Sequence, residues 1–272
     1  MQIFSTSARS LVKSLWHHRN LIMTMTKREV IGRYRGSVLG ILWSFFNPVF
    51  MLAVYTFVFS VVFQARWTGG SESKLEFALI LFSGLLVYAL FAECINRAPS
   101  IILSNANYVK KVVFPLEILP AVALLTAAFH LLVSFLVWLL FYIIFFGFPK
   151  LTIILFPLVL IPLMFFTFGV SLALASLGVF LRDISQIVTV LTTALLFLSP
   201  IFFPVSALPE QFQTLLHLNP LTPVIEATRG VLIFGKLPAL DLWAAQLIIS
   251  SLIAWLGYVC FQKMRKGFAD VI

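Results

Sequence analysis

The sequence predicts an all-α membrane protein with six transmembrane helices, an amphipathic interfacial segment before the first span, and re-entrant outer helices between spans five and six. Three observations carry that expectation. Of 272 residues, 61% are hydrophobic and only 11% charged, whereas a soluble domain carries about 25% charged residues. So little charge cannot cover a surface in water, so lipid must be the solvent over most of the chain. Six apolar runs, at 38–63, 77–94, 116–146, 151–181, 184–203 and 242–261, supply the spans. Each approaches or exceeds the roughly 20 helical residues that cross a bilayer core about 30 Å thick. The third observation is where the basic residues fall. With both termini placed inside, 14 of the 19 Lys and Arg lie in inside segments and five in outside ones, a bias that fixes orientation. The net charge of +9 is therefore topological, with some attraction to anionic headgroups, and it does not imply nucleic-acid binding.

Two regions follow: an N-terminal amphipathic interfacial segment over 1–37, and a transmembrane domain over 38–272 with an outer re-entrant segment at about 204–240. In the first, Leu11, Val12, Leu15, Trp16, Leu21, Ile22 and Met25 recur among Lys and Arg at nearly helical spacing, the pattern of a helix lying in the headgroup plane. The stretch is too basic and interrupted for a cleaved signal peptide. Residues 64–76, with Gly69-Gly70, read as an external loop, and Phe148-Pro149-Lys150 as a tight outer turn. Pro157 and Pro162 fall inside the fourth run and are expected to kink it, with neighbouring helices satisfying the freed carbonyls. The 204–240 segment holds Pro204, Pro209, Pro220, Pro223 and Pro238 between apolar residues. It is too apolar for a free loop and too broken for a full crossing, so short helices dipping into the outer leaflet fit it best. Cys94 and Cys260 read as small packing residues on the reducing side.

What is missing narrows the function. No G-x4-G-K-[ST] loop is present to cradle nucleotide phosphates. The four histidines show no metal-ligand spacing, and His130 reads as a packed residue within a span rather than a proton relay. Glu93 and Glu117 lie near inner span ends and Asp241 at an outer one. The spans are thus nearly clear of the buried carboxylates that an ion-driven carrier needs. A membrane glycosyltransferase would need a denser acidic or metal-binding cluster than Glu117 and Asp183 provide.

Four blocks in order carry a family pattern. Residues 33–48 read Arg33-x-Arg35-x-Ser37-x-Leu39-Gly40-x-x-Trp43-x4-Pro48, leading from basic segment to first span. Asn105-x2-Tyr108-Val109-Lys110-Lys111-x2-Phe114-Pro115-Leu116-Glu117 forms an inner loop. Arg182-Asp183, followed by Leu198-Ser199-Pro200-Ile201-Phe202-Phe203-Pro204, brackets the fifth run. Asn219-Pro220 with Glu226-x2-Arg229 lies in the outer segment. Together they resemble the ABC-2 type permeases that export O-antigen, capsule and teichoic acid.

The resemblance implies a transporter subunit that is not itself an enzyme. Two copies would pair with two copies of a separate nucleotide-binding subunit, which would hold ATP and Mg, leaving this chain without a cofactor. The cargo would be a lipid-linked polysaccharide, with O-antigen leading, moved across the bacterial inner membrane. Arg33, Arg35, Asn107, Tyr108, Lys110 and Lys111 would then contact the ATPase. Spacing alone reads the 105–117 loop equally well as an ordinary positive-inside connection. Arg182 and Asp183 would form a second contact or an internal pair, and Glu226 with Arg229 a structural pair in the outer cap. Aromatics in the first and fifth spans are candidates for a conduit lining: Trp43, Phe46, Phe50, Tyr55, Phe59, Phe197, Phe202 and Phe203. Trp43, Phe46 and Phe50 share one helix face, and sugar C–H faces slide over rings without tight polar contacts. Any single ring also fits bundle packing or an interface belt. A permease for a drug or another lipid is the nearest alternative, and an ion-driven carrier a more distant one.

Overall fold

A computed structural model describes residues 5–58, 74–110 and 114–272; Phe59, Lys111 and most of the expected 64–76 loop lie outside them. Every regular element among the described residues is helical. The N-terminal segment forms α1 (Ala8–His17) and α2 (Arg19–Arg33), with the Ser7 hydroxyl capping the first turn. Leu11 of α1 and Ile22, Met25 and Val30 of α2 are buried while their basic neighbours stay exposed. Part of the expected apolar stripe thus packs on the bundle, while its Val12, Trp16 and Leu21 stay exposed.

Five helical stretches among the described residues are long and apolar enough to cross a membrane: Gly40–Val58, Leu75–Ser100, Ile118–Phe146, Leu151–Phe180 and Leu240–Val271. Their helices are α3 (Trp43–Tyr55), α4 (Lys74–Arg97), α6 (Ile118–Phe146), α7 (Phe156–Phe180) and α11 (Leu240–Met264), with the four-residue α5 (Ala106–Val109) in the inner loop. The second stretch runs longer than its expected bounds of 77–94 because short helical turns continue it to Ser100. Pro157 does not interrupt the fourth, since it sits in the first turn of α7, where no amide partner is required. Pro162 lies within the helix.

The fifth expected run departs most from its 20-residue bounds. It forms α8 (Ile184–Phe197), 14 residues long, which spans about 21 Å and by itself falls short of the hydrocarbon core. The helix ends at Phe197, just before Pro200, which has no amide to continue the ladder and disfavours a helical residue ahead of it. Past the stop, Pro200 O and Ile201 O both accept from Arg229. Beyond it come α9 (Glu210–His217) and α10 (Thr222–Arg229), which runs into a wide turn at Gly230–Phe234 that ends in left-handed Gly235. The chain closes with α12 (Phe268–Val271).

Two apolar clusters form the core. One joins α4, the outer half of α6, the start of α7, α10 and residues 231–233, around the fully buried Trp138. The other joins α1, α2, the start of α6, the end of α7 and the end of α11, around Ile118, Phe261 and Phe268. α7 and α11 approach closely through small residues, as helices in lipid do. A Cβ added at Gly169 would meet the Ala254 backbone at 2.6 Å. Polar side chains fasten other helices across the bundle. Trp138 Nε1 donates to Leu79 O at 2.9 Å, Tyr88 Oη to Thr192 O at 2.8 Å, and Thr192 Oγ1 to Asn96 Oδ1 at 2.8 Å.

Candidate functional site

α4 is the central strut of the bundle and α3 leans against it and α6. Between them lies a cavity of about 350 Å³. Ser44, Asn47, Met51 and Tyr55, at i, i+3, i+7 and i+11, give the α3 wall. Phe82, Leu85, Ala89 and Glu93 give the α4 wall, and Ala127, His130, Leu131 and Ser134 the α6 wall, with Arg33 and Tyr34 also lining it. Each set repeats at three or four residues, which is why one face of each helix lines the space.

Three charged or ionisable groups meet there. Arg33 Nη1 donates to Glu93 Oε1 at 2.5 Å, and His130 Nδ1 lies 2.9 Å from both Glu93 oxygens. The same His130 Nδ1 lies 3.2 Å from Arg33 Nη1, and the buried Nε2 has no hydrogen-bond partner among the described residues. Tyr34 sits edge-on to the His130 ring at 6.2 Å. Partial burial pushes its phenol pKa up, with Arg33 opposing, so it stays a neutral hydroxyl. Sequence reading treated Glu93 and His130 separately, as a span-end carboxylate and a packed histidine. Only the register of α4 against α6 pairs them, and no local signal encodes that register.

The conduit candidates divide into three sets. Trp43, Phe46 and Phe50 form a stripe on α3 that is 41%, 44% and 67% exposed, so it points away from the protomer's own core. Tyr55 lies instead on the polar stripe that lines the cavity. Phe197 stacks on Phe202 at 5.7 Å at the outer end of α8, with Phe203 beside them in sequence and half-buried.

The ATPase-contact candidates lie on and beside the interfacial segment and the inner loop. Tyr108 stacks on Phe114 at 4.3 Å and accepts a hydrogen bond from Arg28 Nη2 at 2.9 Å. A neighbouring ion pair joins Arg97 to Glu29. Arg35, Asn107 and Lys110 are exposed, as are Arg182 and Asp183 in the turn between α7 and α8.

At the end of α10, Arg229 is 1% exposed and serves more than the local pair. It reaches Glu226 Oε1 at 3.1 Å, Pro200 O at 2.5 Å, Ile201 O at 2.7 Å and Ile80 O at 3.4 Å. Burial draws its pKa down to about 10 while Glu226 pulls it back up, so it remains a cation at neutral pH.

Residues 20–233 match the family described as ABC-2 type transporter. The chain is 28% identical over 264 residues to the O-antigen export system permease protein RfbA of Myxococcus xanthus, covering 96% of this chain and 99% of that one. It is 26% identical over 254 residues to the RfbA protein of Klebsiella pneumoniae, covering 93% and 95%. To the polysialic acid transport protein KpsM of Escherichia coli it is 25% identical over 211 residues, covering 76% and 79%. With the matched region taking in most of the chain and five apolar helices able to cross a bilayer, this protein belongs to the ABC-2 type transporter family as a multi-pass membrane permease.

Proposed function

We propose that this permease exports a lipid-linked polysaccharide, with O-antigen as its cargo, across a bacterial inner membrane. The end-to-end similarity to O-antigen export permeases, 96% of this chain against 99% of one relative, carries the reading. In the functional unit two copies stand side by side and two copies of a separate nucleotide-binding subunit hold ATP and Mg. Arg33, Arg35, Asn107, Tyr108, Lys110, Lys111, Arg182 and Asp183 are the contacts proposed for that subunit. α8 and residues 198–203 together make the fifth crossing and α11 the sixth, residues 204–240 dip back into the outer leaflet between them, and both termini are cytoplasmic.

The α3–α4–α6 cavity supports a sugar-handling role on chemical grounds. An unsatisfied hydroxyl in hydrocarbon costs several kcal/mol, on the order of 4–8 from water to cyclohexane, so a sugar chain needs a path lined with polar partners. Ser44, Asn47 and Ser134 supply such groups within an otherwise apolar wall. The exposed Trp43, Phe46 and Phe50 stripe and the Phe197, Phe202 and Phe203 group are the surfaces over which the chain slides between two copies.

The test is affinity purification of the tagged permease from its native membrane, with ATP hydrolysis assayed on what accompanies it. An ATPase in equal amount, lost from the complex when Lys110 and Lys111 are changed to Glu, is the expected result. Purification with no ATPase would overturn the reading. The similarity to the polysialic acid transport protein KpsM over 76% of the chain favours a polymer other than O-antigen as the second reading. Deleting the gene separates the two by which lipid-linked polymer accumulates inside the cell.

A further inference from the structure

At the inner end of the bundle one buried carboxylate joins both ends of the chain. Glu117 is 6% exposed and immediately precedes α6. Its Oε1 accepts from the Ser14 hydroxyl of α1 at 2.7 Å, and its Oε2 from Arg265 Nη1, just past α11, at 2.7 Å. The second arm of Arg265 donates to Phe114 O at 2.9 Å. Phe114 is the ring stacked on Tyr108, and Tyr108 takes its bond from Arg28 of α2. The contacts therefore form a circuit, from α1 through Glu117, Arg265, Phe114 and Tyr108 back to α2. The circuit sits over the inner apolar cluster of Leu11, Ile22, Met25, Ile118 and Phe268.

A buried ion pair contributes little net stability, because desolvation offsets its attraction. Its effect is geometric: Arg265 holds both the Glu117 carboxylate and the Phe114 carbonyl, so a shift of Phe114 and the Tyr108 stacked on it pulls on α1 and the end of α11. We infer that Glu117 is a positioning residue that transmits displacement of Tyr108 and Phe114 in the inner loop to the N-terminal helices and to α11. This rests on the reading that the loop meets an ATPase. Under that reading, the bonds from Ser14 and Arg265 to Glu117 convert ATP turnover into movement of the membrane helices. Without them the loop moves alone and hydrolysis is futile.

The experiment uses the intact permease–ATPase complex in liposomes loaded with lipid-linked polysaccharide, measuring polymer exported per ATP hydrolysed. Glu117→Gln keeps the size of the side chain and removes its charge. Arg265→Lys keeps the charge and removes the two-armed grip. Each is expected to leave subunit stoichiometry and ATP hydrolysis within about twofold while export per ATP falls about tenfold, the scale of a typical coupling between sites. Ser14→Ala removes a single hydroxyl at a half-buried position, and its expected fall is about threefold to tenfold. It remains informative if the Glu117 variant fails to assemble. Export per ATP unchanged in Ser14→Ala and Arg265→Lys would overturn the inference. A wild-type permease that carries no ATPase would instead overturn the functional reading on which the inference rests.

Discussion

Arg229 at the outer end of the bundle is 1% exposed and gives its guanidinium to carbonyls of residues 200 and 201, whereas Glu117 at the inner end is 6% exposed and gives its carboxylate to side chains from the two chain ends. Besides Glu226 and Ile80 O, Arg229 bonds two backbone carbonyls freed beyond the end of α8. Its loss strips buried carbonyls of a charged donor, so this charge completes a fold. The partners of Glu117 are Ser14 and Arg265, flexible side chains on segments that border the inner surface. That charge holds elements which each keep their own hydrogen bonds, so its loss alters how they are arranged more than whether they form.

Substitutions sharpen that contrast. Arg229→Ala is expected to have the largest effect on stability, about 3–5 kcal/mol, since it strips a buried charge from groups built around it. Thermal denaturation in detergent would show it, and a melting temperature unchanged from wild type would break the comparison. Glu117→Gln is expected to cost less, about 1–3 kcal/mol, by weakening charge-assisted bonds without opening a void. Glu226→Gln, whose partner pairing lies at a side chain 46% exposed, should cost about 1 kcal/mol or less. The smallest stability effect is expected for Trp43→Ala, Phe46→Ala and Phe50→Ala, within about 0.5 kcal/mol each because these side chains leave the protomer's own core. Their export rates should nevertheless fall together if the stripe faces cargo. Normal export in the triple variant would remove α3 from the conduit lining.

Much of this architecture is legible in the sequence because span identity depends only on the length of an apolar run. Residues 116–146 and 151–181 could be read almost to their ends for that reason. The end of α8 could not. Apolarity continues through Phe202 and Phe203 past the breaker at Pro200, and the residue that holds the turn there, Arg229, lies 28 residues after Ile201. The site was legible only in part for a related reason. Helical spacing groups Trp43 with Phe46 and Phe50, and Ser44 with Asn47 and Tyr55, yet the period does not say which stripe meets α4 and α6. Likewise Arg33, Glu93 and His130 come from three elements, and packing alone brings them together. The circuit through Glu117 spans residues 14 to 265, a separation over which pattern carries no information.

The central claim is that export here is driven by ATP through a partner subunit. The most direct measurement places purified permease in liposomes with lipid-linked polysaccharide, with and without the co-purified ATPase, and follows polymer reaching the opposite face. Transport is expected only when ATPase and ATP are both present, and none from a proton or sodium gradient. Transport by the permease alone under an ion gradient would contradict it.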